Sequence, residues 1–80
     1  MQVLVVDRSI FKDAIVKIFR EGGYEVELCG SAYDAMKLLV AREFDLVVSE
    51  VELPGDNAFD LYNYISKHYP YLCLLYTSPS

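Results

Sequence analysis

Acidic and hydroxyl side chains follow three short apolar segments of this 80-residue chain, at the points where the segments end. Carboxylate oxygens are the ligands that hard divalent cations prefer, and hydroxyl groups hydrogen-bond phosphoryl oxygens. Each of these residues alone could equally be a solvated loop residue. Together they predict a site for a cation and a phosphoryl group. No glycine-rich turn follows the first segment, which argues against a dinucleotide or P-loop site. The acidic and hydroxyl residues are Asp7, Glu50, Glu52, Thr77 and Ser78, and the basic residue Arg8 lies next to Asp7.

The apolar segments have the lengths and compositions of β-strands. Residues 2–6 and 46–49 are short, continuous and rich in valine, which is typical of strands buried on both faces of a parallel sheet. Residues 24–29 alternate apolar and acidic side chains, which predicts an edge strand with one solvated face. Residues 71–76 form a fourth apolar run.

Three predicted helices alternate with these strands. Residues 9–21 carry apolar side chains at three- and four-residue steps, with Ser9 as the expected N-cap. A start resembling a capping box predicts a second helix from Ser31 to near Arg42. A third is expected at about residues 58–68, after the turn sequence that contains Pro54. The side chains expected to face the core from the first and third helices are Ile10, Phe11, Ala14, Ile15, Ile18 and Phe19, and Phe59, Tyr62, Ile65 and Tyr69.

This alternation of short strands and helices predicts the fold class. Strands joined by helical connections run parallel through right-handed crossovers, and the helices cover both faces of the sheet. We therefore expect one domain over residues 1–80, an α/β fold with a doubly wound parallel sheet. In such sheets ligands bind outside the carboxyl ends of the strands, which is where the six polar residues fall.

Composition excludes several functional classes. Apolar residues make up 54% of the chain and aromatic residues 14%, which excludes a disordered protein. Twelve acidic residues against seven basic ones give a net charge of −5, which disfavours nucleic acid and anionic lipid as direct partners. No apolar stretch has membrane-spanning length, and no signal peptide opens the chain, so we expect a cytoplasmic protein. Cys29 and Cys73 are too few for a disulfide framework and are predicted to be buried, unbridged thiols.

Four segments resemble the receiver domain of two-component response regulators. They are VLVVD at residues 3–7, GGYEVELC at 22–29, FDLVVSEVELPG at 44–55 and LLYTS at 74–78. The likeness covers all 80 residues and implies a flavodoxin-like receiver fold with strand order 2-1-3-4. Because the chain stops at Ser80, the family's fourth helix, its fifth strand with a phosphate-binding lysine, and its fifth helix are expected to be missing.

The resemblance implies a role for each site residue. Glu50 stands where the family has the aspartate that accepts a phosphoryl group from a histidine kinase. Asp7 matches the first of the two family acids that bind Mg²⁺, and Arg8 replaces the second. Thr77 matches the hydroxyl residue that switches conformation, and Pro54 matches the turn beyond the acceptor. The residues expected to line the site are Arg8, Glu52, Pro54 and Ser78.

Two of these departures weaken the phosphorylation chemistry. Glutamate places its carboxylate about 1.5 Å beyond that of aspartate, and phosphoryl transfer depends on in-line positioning. Arg8 brings a fixed positive charge to where Mg²⁺ would lie, so we expect no bound cofactor. Its guanidinium either pairs with Asp7 or Glu50 or points to solvent.

The leading hypothesis is a phosphorylation-independent, non-enzymatic signalling module that binds other proteins. Its expected partners are a histidine kinase or an output domain, such as the DNA-binding domain of a transcription regulator, and a second copy joined at the open edge of the fourth strand. One alternative is a working phosphoacceptor that uses Asp7 or Ser49 in place of Glu50. Another, supported by fold analogy alone, is a small flavodoxin-like ligand-binding protein.

Overall fold

A computed structural model describes residues 1–50 and 58–77, with the side chains of Ala58, Phe59 and Thr77 excepted. Its elements are β1 (Gln2–Val6), α1 (Lys12–Glu21), β2 (Glu25–Cys29), α2 (Ala32–Ala41), β3 (Leu46–Glu50), α3 (Ala58–His68) and β4 (Cys73–Thr77). The strands form one parallel sheet in the order β2-β1-β3-β4. The predicted doubly wound α/β fold and strand order are therefore confirmed.

The two central strands, β1 and β3, are buried on both faces, as their continuous apolar sequences predicted. Alternate side chains along each strand point to opposite faces of the sheet, so each strand contributes to two separate cores. The core under α2 and α3 contains Leu4, Val6, Val47, Leu39 and Leu61. The core under α1 contains Val3, Val5, Val48 and Val16.

Helix α1 begins three residues later than predicted, and Ser9 is not its N-cap. The Asp7 carboxylate accepts a hydrogen bond from the Ser9 N–H at 2.6 Å, and the Ser9 hydroxyl accepts one from the Phe11 N–H at 3.2 Å. These short-range bonds hold residues 9–11 in a turn. The N-cap position falls on Phe11, which makes no side-chain capping bond.

The predicted inner face of α1 is also wrong in part. Its one buried residue is Val16, which was not in the predicted set, while Ile15 and Phe19 are half-buried. Helix α1 packs mainly over β1 and β2, with Val16 also reaching Val48 of β3, and it buries only a narrow stripe of its own surface. The remaining members of the predicted set are exposed: Ile10, Phe11, Ala14 and Ile18.

Helix α3 has the predicted bounds but a partly different inner face. Leu61 and Ile65 are buried, and Tyr69 is half-buried. Tyr62 is exposed, so its assignment to the core was wrong. The predicted contribution of Phe59 lies outside the described side chains.

Helix α2 starts as predicted. The Ser31 hydroxyl accepts a hydrogen bond from the Asp34 N–H at 3.1 Å, which satisfies a free amide of the first turn. The helix ends at Ala41, with Arg42 as the C-cap. The start therefore agrees with the predicted capping pattern, and the end agrees with the predicted end near Arg42.

A polar cluster joins the amino ends of three strands to the end of α2. Arg42 forms an ion pair with Glu27 at 2.5 Å and donates to the Gln2 side chain at 2.8 Å. The Gln2 side chain donates in turn to Glu25, while its backbone exchanges two 2.8 Å hydrogen bonds with Asp45. The cluster ties β1, β2 and the segment before β3 into one register.

The two cysteines lie on the outer strands and are free thiols. Cys29, on β2, is half-buried, but Cys73, on β4, is exposed, so the prediction of two buried thiols was wrong for Cys73. Cys73 pairs in register with Leu46, whose side chain faces α1, so the Cys73 side chain lies on the same face of the sheet. Because α1 packs mainly over β1 and β2, Cys73 and Leu75 of β4 stay exposed on this face.

The two serines predicted as helix caps provide a matched test. Ser31→Ala removes a true N-cap and should lower the free energy of unfolding by about 1 kcal/mol. Ser9→Ala removes only an exposed turn contact and should cost about 0.3 kcal/mol. Urea denaturation followed by circular dichroism measures both changes, and equal losses would contradict this account of where α1 begins.

Candidate functional site

Parallel pairing brings the predicted site residues to one edge of the sheet. Asp7 directly follows β1, and its N–H continues the pairing with β2 by donating to the Cys29 carbonyl at 3.0 Å. Glu50 ends β3 and pairs in register with Thr77, the last residue of β4. Asp7, Glu50 and the Thr77 backbone therefore meet at the carboxyl ends of adjacent strands, as the sequence predicted.

Asp7 and Glu50 are both buried, with 3% and 8% of their surfaces exposed. One loop supplies hydrogen bonds to both carboxylates: the Ser9 N–H donates to Asp7 at 2.6 Å, and the Arg8 N–H donates to Glu50 at 3.2 Å. Hydrogen bonds to an ionised acceptor are stronger than those between neutral groups. The loop after β1 is therefore fastened to the end of β3 by the Glu50 carboxylate.

The Arg8 side chain lies away from these carboxylates. It is exposed, and its aliphatic stem lies close to Gly30, where an added Cβ would come within 3.0 Å of Arg8 Cγ. Arg8 takes part in neither of the ion pairs found among the described residues, Lys17–Glu21 and Arg42–Glu27. Of the two orientations considered for Arg8, the structure therefore has the one that points to solvent.

The sequence did not identify Gly30 as a site residue. Its signal was its position directly after β2, at the edge where Asp7 and Glu50 meet. The absence of a side chain at Gly30 leaves room for the stem of Arg8.

The Ser49 hydroxyl is enclosed within the protein. Ser49 has no exposed surface, and its hydroxyl donates to the Glu50 carbonyl at 3.1 Å. A phosphoryl donor has no direct access to this oxygen in the folded chain.

The described donor set does not fit Mg²⁺. Mg²⁺ requires near-octahedral oxygen coordination, usually with one or two carboxylates, water and phosphate oxygens. Asp7 and Glu50 each accept a backbone hydrogen bond, and Arg8, whose side chain points to solvent, supplies no further carboxylate. Across residues 1–50 and 58–77, no three His, Cys, Asp or Glu side chains are grouped closely enough to hold a metal ion.

Comparison with known proteins identifies the family. The model of the response regulator receiver domain matches residues 3–79. This chain belongs to that family. Two curated relatives are a protein-glutamate methylesterase/protein-glutamine glutaminase from Pyrococcus horikoshii, 36% identical over 88% of this chain, and the response regulator protein FleR from Pseudomonas aeruginosa, 33% identical over 91%. The matched regions are 20% and 15% of those proteins, so the chain spans at most a fifth of their length.

Solved receiver domains have the same architecture. The chemotaxis response regulator CheY4 of Vibrio cholerae superposes with a TM-score of 0.88 at 26% identity, over 94% of this chain and 65% of that one. The non-phosphorylated HemR receiver domain from Leptospira biflexa superposes with a TM-score of 0.83 at 30% identity, over 96% and 62%. This receiver domain is therefore a signalling module of a two-component response regulator by family and by fold.

Three predicted site residues of the receiver domain fall outside the described part of the chain. They are Glu52, Pro54 and Ser78, and for Thr77 the structure describes the backbone alone. The site geometry therefore depends on Asp7, Arg8 and Glu50 together with the end of β4.

Cys29 lies at the same edge of the sheet as Asp7, and its thiol is expected to be unreactive. Burial, with smaller contributions from the negative charges of Asp34 and Glu27, raises the pKa of its thiol to about 11. The Sγ atom lies 3.8 Å from the Ser31 carbonyl, to which it donates. At pH 8 only about 0.1% of this thiol is thiolate, the form that reacts.

Alkylation should therefore separate the two cysteines. With iodoacetamide at pH 8, exposed Cys73 should be modified well before Cys29, as measured by peptide mass spectrometry. In a Cys73→Ser variant the remaining thiol should react slowly in the native protein and rapidly in urea. Its native rate should keep rising with pH towards about 11, because the thiolate fraction grows until the pH passes the pKa. Equal native rates at the two cysteines would contradict the burial of Cys29.

Proposed function

We propose that this receiver domain signals without being phosphorylated, through contacts with other proteins. The main support is Glu50, which holds the family's acceptor position with a buried carboxylate bound to the Arg8 N–H. A carboxylate held there is a permanent negative charge at the point where the family acquires one by phosphorylation. Its burial and its longer side chain both disfavour in-line attack on a phosphoryl donor.

The electrostatics of the site support the same proposal. Phosphoryl transfer in this family needs Mg²⁺ to neutralise developing charge, and cation coordination needs convergent carboxylates. Arg8 stands in place of one acid, and one oxygen of each of Asp7 and Glu50 accepts a hydrogen bond from a loop amide. We therefore propose that the domain has negligible affinity for Mg²⁺ at millimolar concentrations.

The alternative acceptors have less support. Ser49 is fully buried, and the Asp7 carboxylate is engaged by the Ser9 N–H and almost fully buried. Either residue would have to leave its hydrogen bonds before it could attack. No described feature favours a flavin or nucleotide site.

The proposed role is that of a non-enzymatic module in the cytoplasm, with a histidine kinase or an output domain as partner. Membership of the receiver family supports the class of partner. Within the described residues, no helix has the length and apolar content needed to cross a membrane. The net charge of −5 disfavours direct binding to nucleic acid.

Acetyl phosphate tests the proposal directly. We expect no acid-labile, hydroxylamine-sensitive label on the wild-type chain with millimolar Mg²⁺, as measured by intact mass. Glu50→Asp alone should also remain unlabelled, because Arg8 still disfavours the metal. A labelled carboxylate on the wild-type chain would refute phosphorylation independence.

A double variant provides the positive control. Glu50→Asp combined with Arg8→Asp places two or three carboxylates at one site again and should recover weak cation binding, measured by Mn²⁺ relaxation or calorimetry. If Glu50→Asp alone bound the cation as well as the double variant, Arg8 would not be the cause of the weak affinity.

We also propose that a second copy of the chain pairs at β4. This strand lies at an edge of the described sheet and carries no charged residue, and edge strands without charge are pairing sites. Leu75 is 50% exposed on the face that α1 leaves uncovered. Pairing between copies would satisfy the outward backbone groups of β4 and cover Leu75.

Sedimentation velocity tests this assembly. At tens of micromolar the wild-type chain should be a dimer, and Leu75→Lys should shift it to monomer, because it places a charge in the paired edge. Val40→Lys, at an exposed apolar position on α2, provides the matched control and should leave the dimer intact. A wild-type monomer, or loss of the dimer in Val40→Lys alone, would contradict pairing at β4.

A further inference from the structure

Helix α2 has a second apolar face that the described part of the chain covers only in part. Its inner face buries Ala32, Ala35 and Leu39, yet its ten residues include only two charged ones, Asp34 and Lys37. A surface helix is normally polar on its outer side, and a helix that is apolar on nearly all sides is normally buried. The intramolecular packing therefore accounts for only part of the apolar character of α2.

The second face is a groove beside α3. It has a volume of about 410 Å³ and is lined by Tyr33, Met36, Lys37, Val40 and Tyr64, the last from α3. Tyr33 is 62% exposed and Val40 is 72% exposed, so the large side chains stand open to solvent. Their spacing of three and then four residues places Tyr33, Met36 and Val40 along one line of the helix.

The charge in this groove has no acidic partner within the described residues. The Lys37 ammonium lies 5.3 Å from the centre of the Tyr33 ring, in a cation–π contact. The ion pairs of the described residues, Lys17–Glu21 and Arg42–Glu27, do not include Lys37. A ligand that met this groove with a carboxylate would gain a charge pair in a partly desolvated setting.

We propose that the groove between α2 and α3 binds an amphipathic helix of a partner protein that carries a carboxylate beside its apolar stripe. Apolar residues at positions i, i+3 and i+7 would contact Tyr33, Met36 and Val40, and the carboxylate would face Lys37. Helix α2 is about 15 Å long, which matches roughly three turns of such a partner. The inference deepens the proposed function, on which it rests, by naming the surface that makes the protein contact and the chemistry of the partner.

A second copy is the less favourable occupant of this groove. Two antiparallel α2 helices would place Tyr33 against Val40 of the other copy, which brings the two Lys37 side chains together at the two-fold axis. Like charges that face each other across an interface disfavour association.

Two labelled peptides test the inference. Each has eighteen residues on an alanine background with leucines at i, i+3 and i+7, and carries either Glu or Lys at i+4. Fluorescence anisotropy with the 80-residue chain should give a dissociation constant on the order of tens of micromolar for the Glu peptide, and one about fivefold weaker for the Lys peptide. Lys37→Glu should reverse this preference. Equal binding of the two peptides to the wild-type chain, or no change of preference in Lys37→Glu, would overturn the charge argument.

Two variants with the same substitution locate the binding. Val40→Glu should weaken the Glu peptide at least about tenfold, while Ile18→Glu, at a similarly exposed apolar position on α1, should not. Circular dichroism confirms that each variant is folded. Equal affinity of Val40→Glu and wild type for the Glu peptide would overturn the assignment of binding to the groove. So would a wild-type dimer that becomes monomeric in Val40→Glu, because a second copy would then be the occupant. None of these outcomes depends on phosphate labelling, so the proposed function and this inference can fail separately.

Discussion

The parallel pairing of β1 with β3, buried on both faces, sets the positions of the other elements. Nearly every side chain of these strands is enclosed, and the enclosed residues are mostly valines of similar size. Similar valines specify their register weakly, because a shifted strand would bury much the same surface. The polar residues at the two ends of the strands specify the register that the valines do not. A shift of one strand by two residues would draw Asp7 or Glu50 into an apolar layer. The cost would be several kcal/mol, roughly that of burying an unpaired charge. At the other end, the paired hydrogen bonds of Gln2 and Asp45 hold the same alignment.

The strands and two of the three described helices could be predicted because their signals are local. The valine runs of β1 and β3 and the cap at Ser31 are properties of short segments, and the structure agrees with them. The start of α1 could not be read the same way, because Ser9 has a cap-forming side chain but is itself held in a turn by Asp7. Two local patterns competed there, and only the folded loop shows which one forms.

The features that the sequence did not predict depend on contacts between distant segments. Cys73 sits in an apolar run, but its exposure depends on which face α1 covers. The direction of Arg8 depends on Gly30, which follows a different strand, β2. The convergence of Asp7 with Glu50 was predictable from parallel topology, whereas the backbone amides that hold their carboxylates were not.

The two edges of the sheet are chemically unlike, and this difference limits how far an assembly could grow. The polar cluster at β2 places Glu25 and Glu27 along one edge, so two copies aligned there would set carboxylates against each other. The β4 edge has no such residues. Copies that join at β4 about a two-fold axis leave only acidic edges at both ends of the combined sheet. Fibrils require every added strand to present a fresh pairing edge, so in the proposed dimer the acidic residues of β2 would oppose cross-β growth.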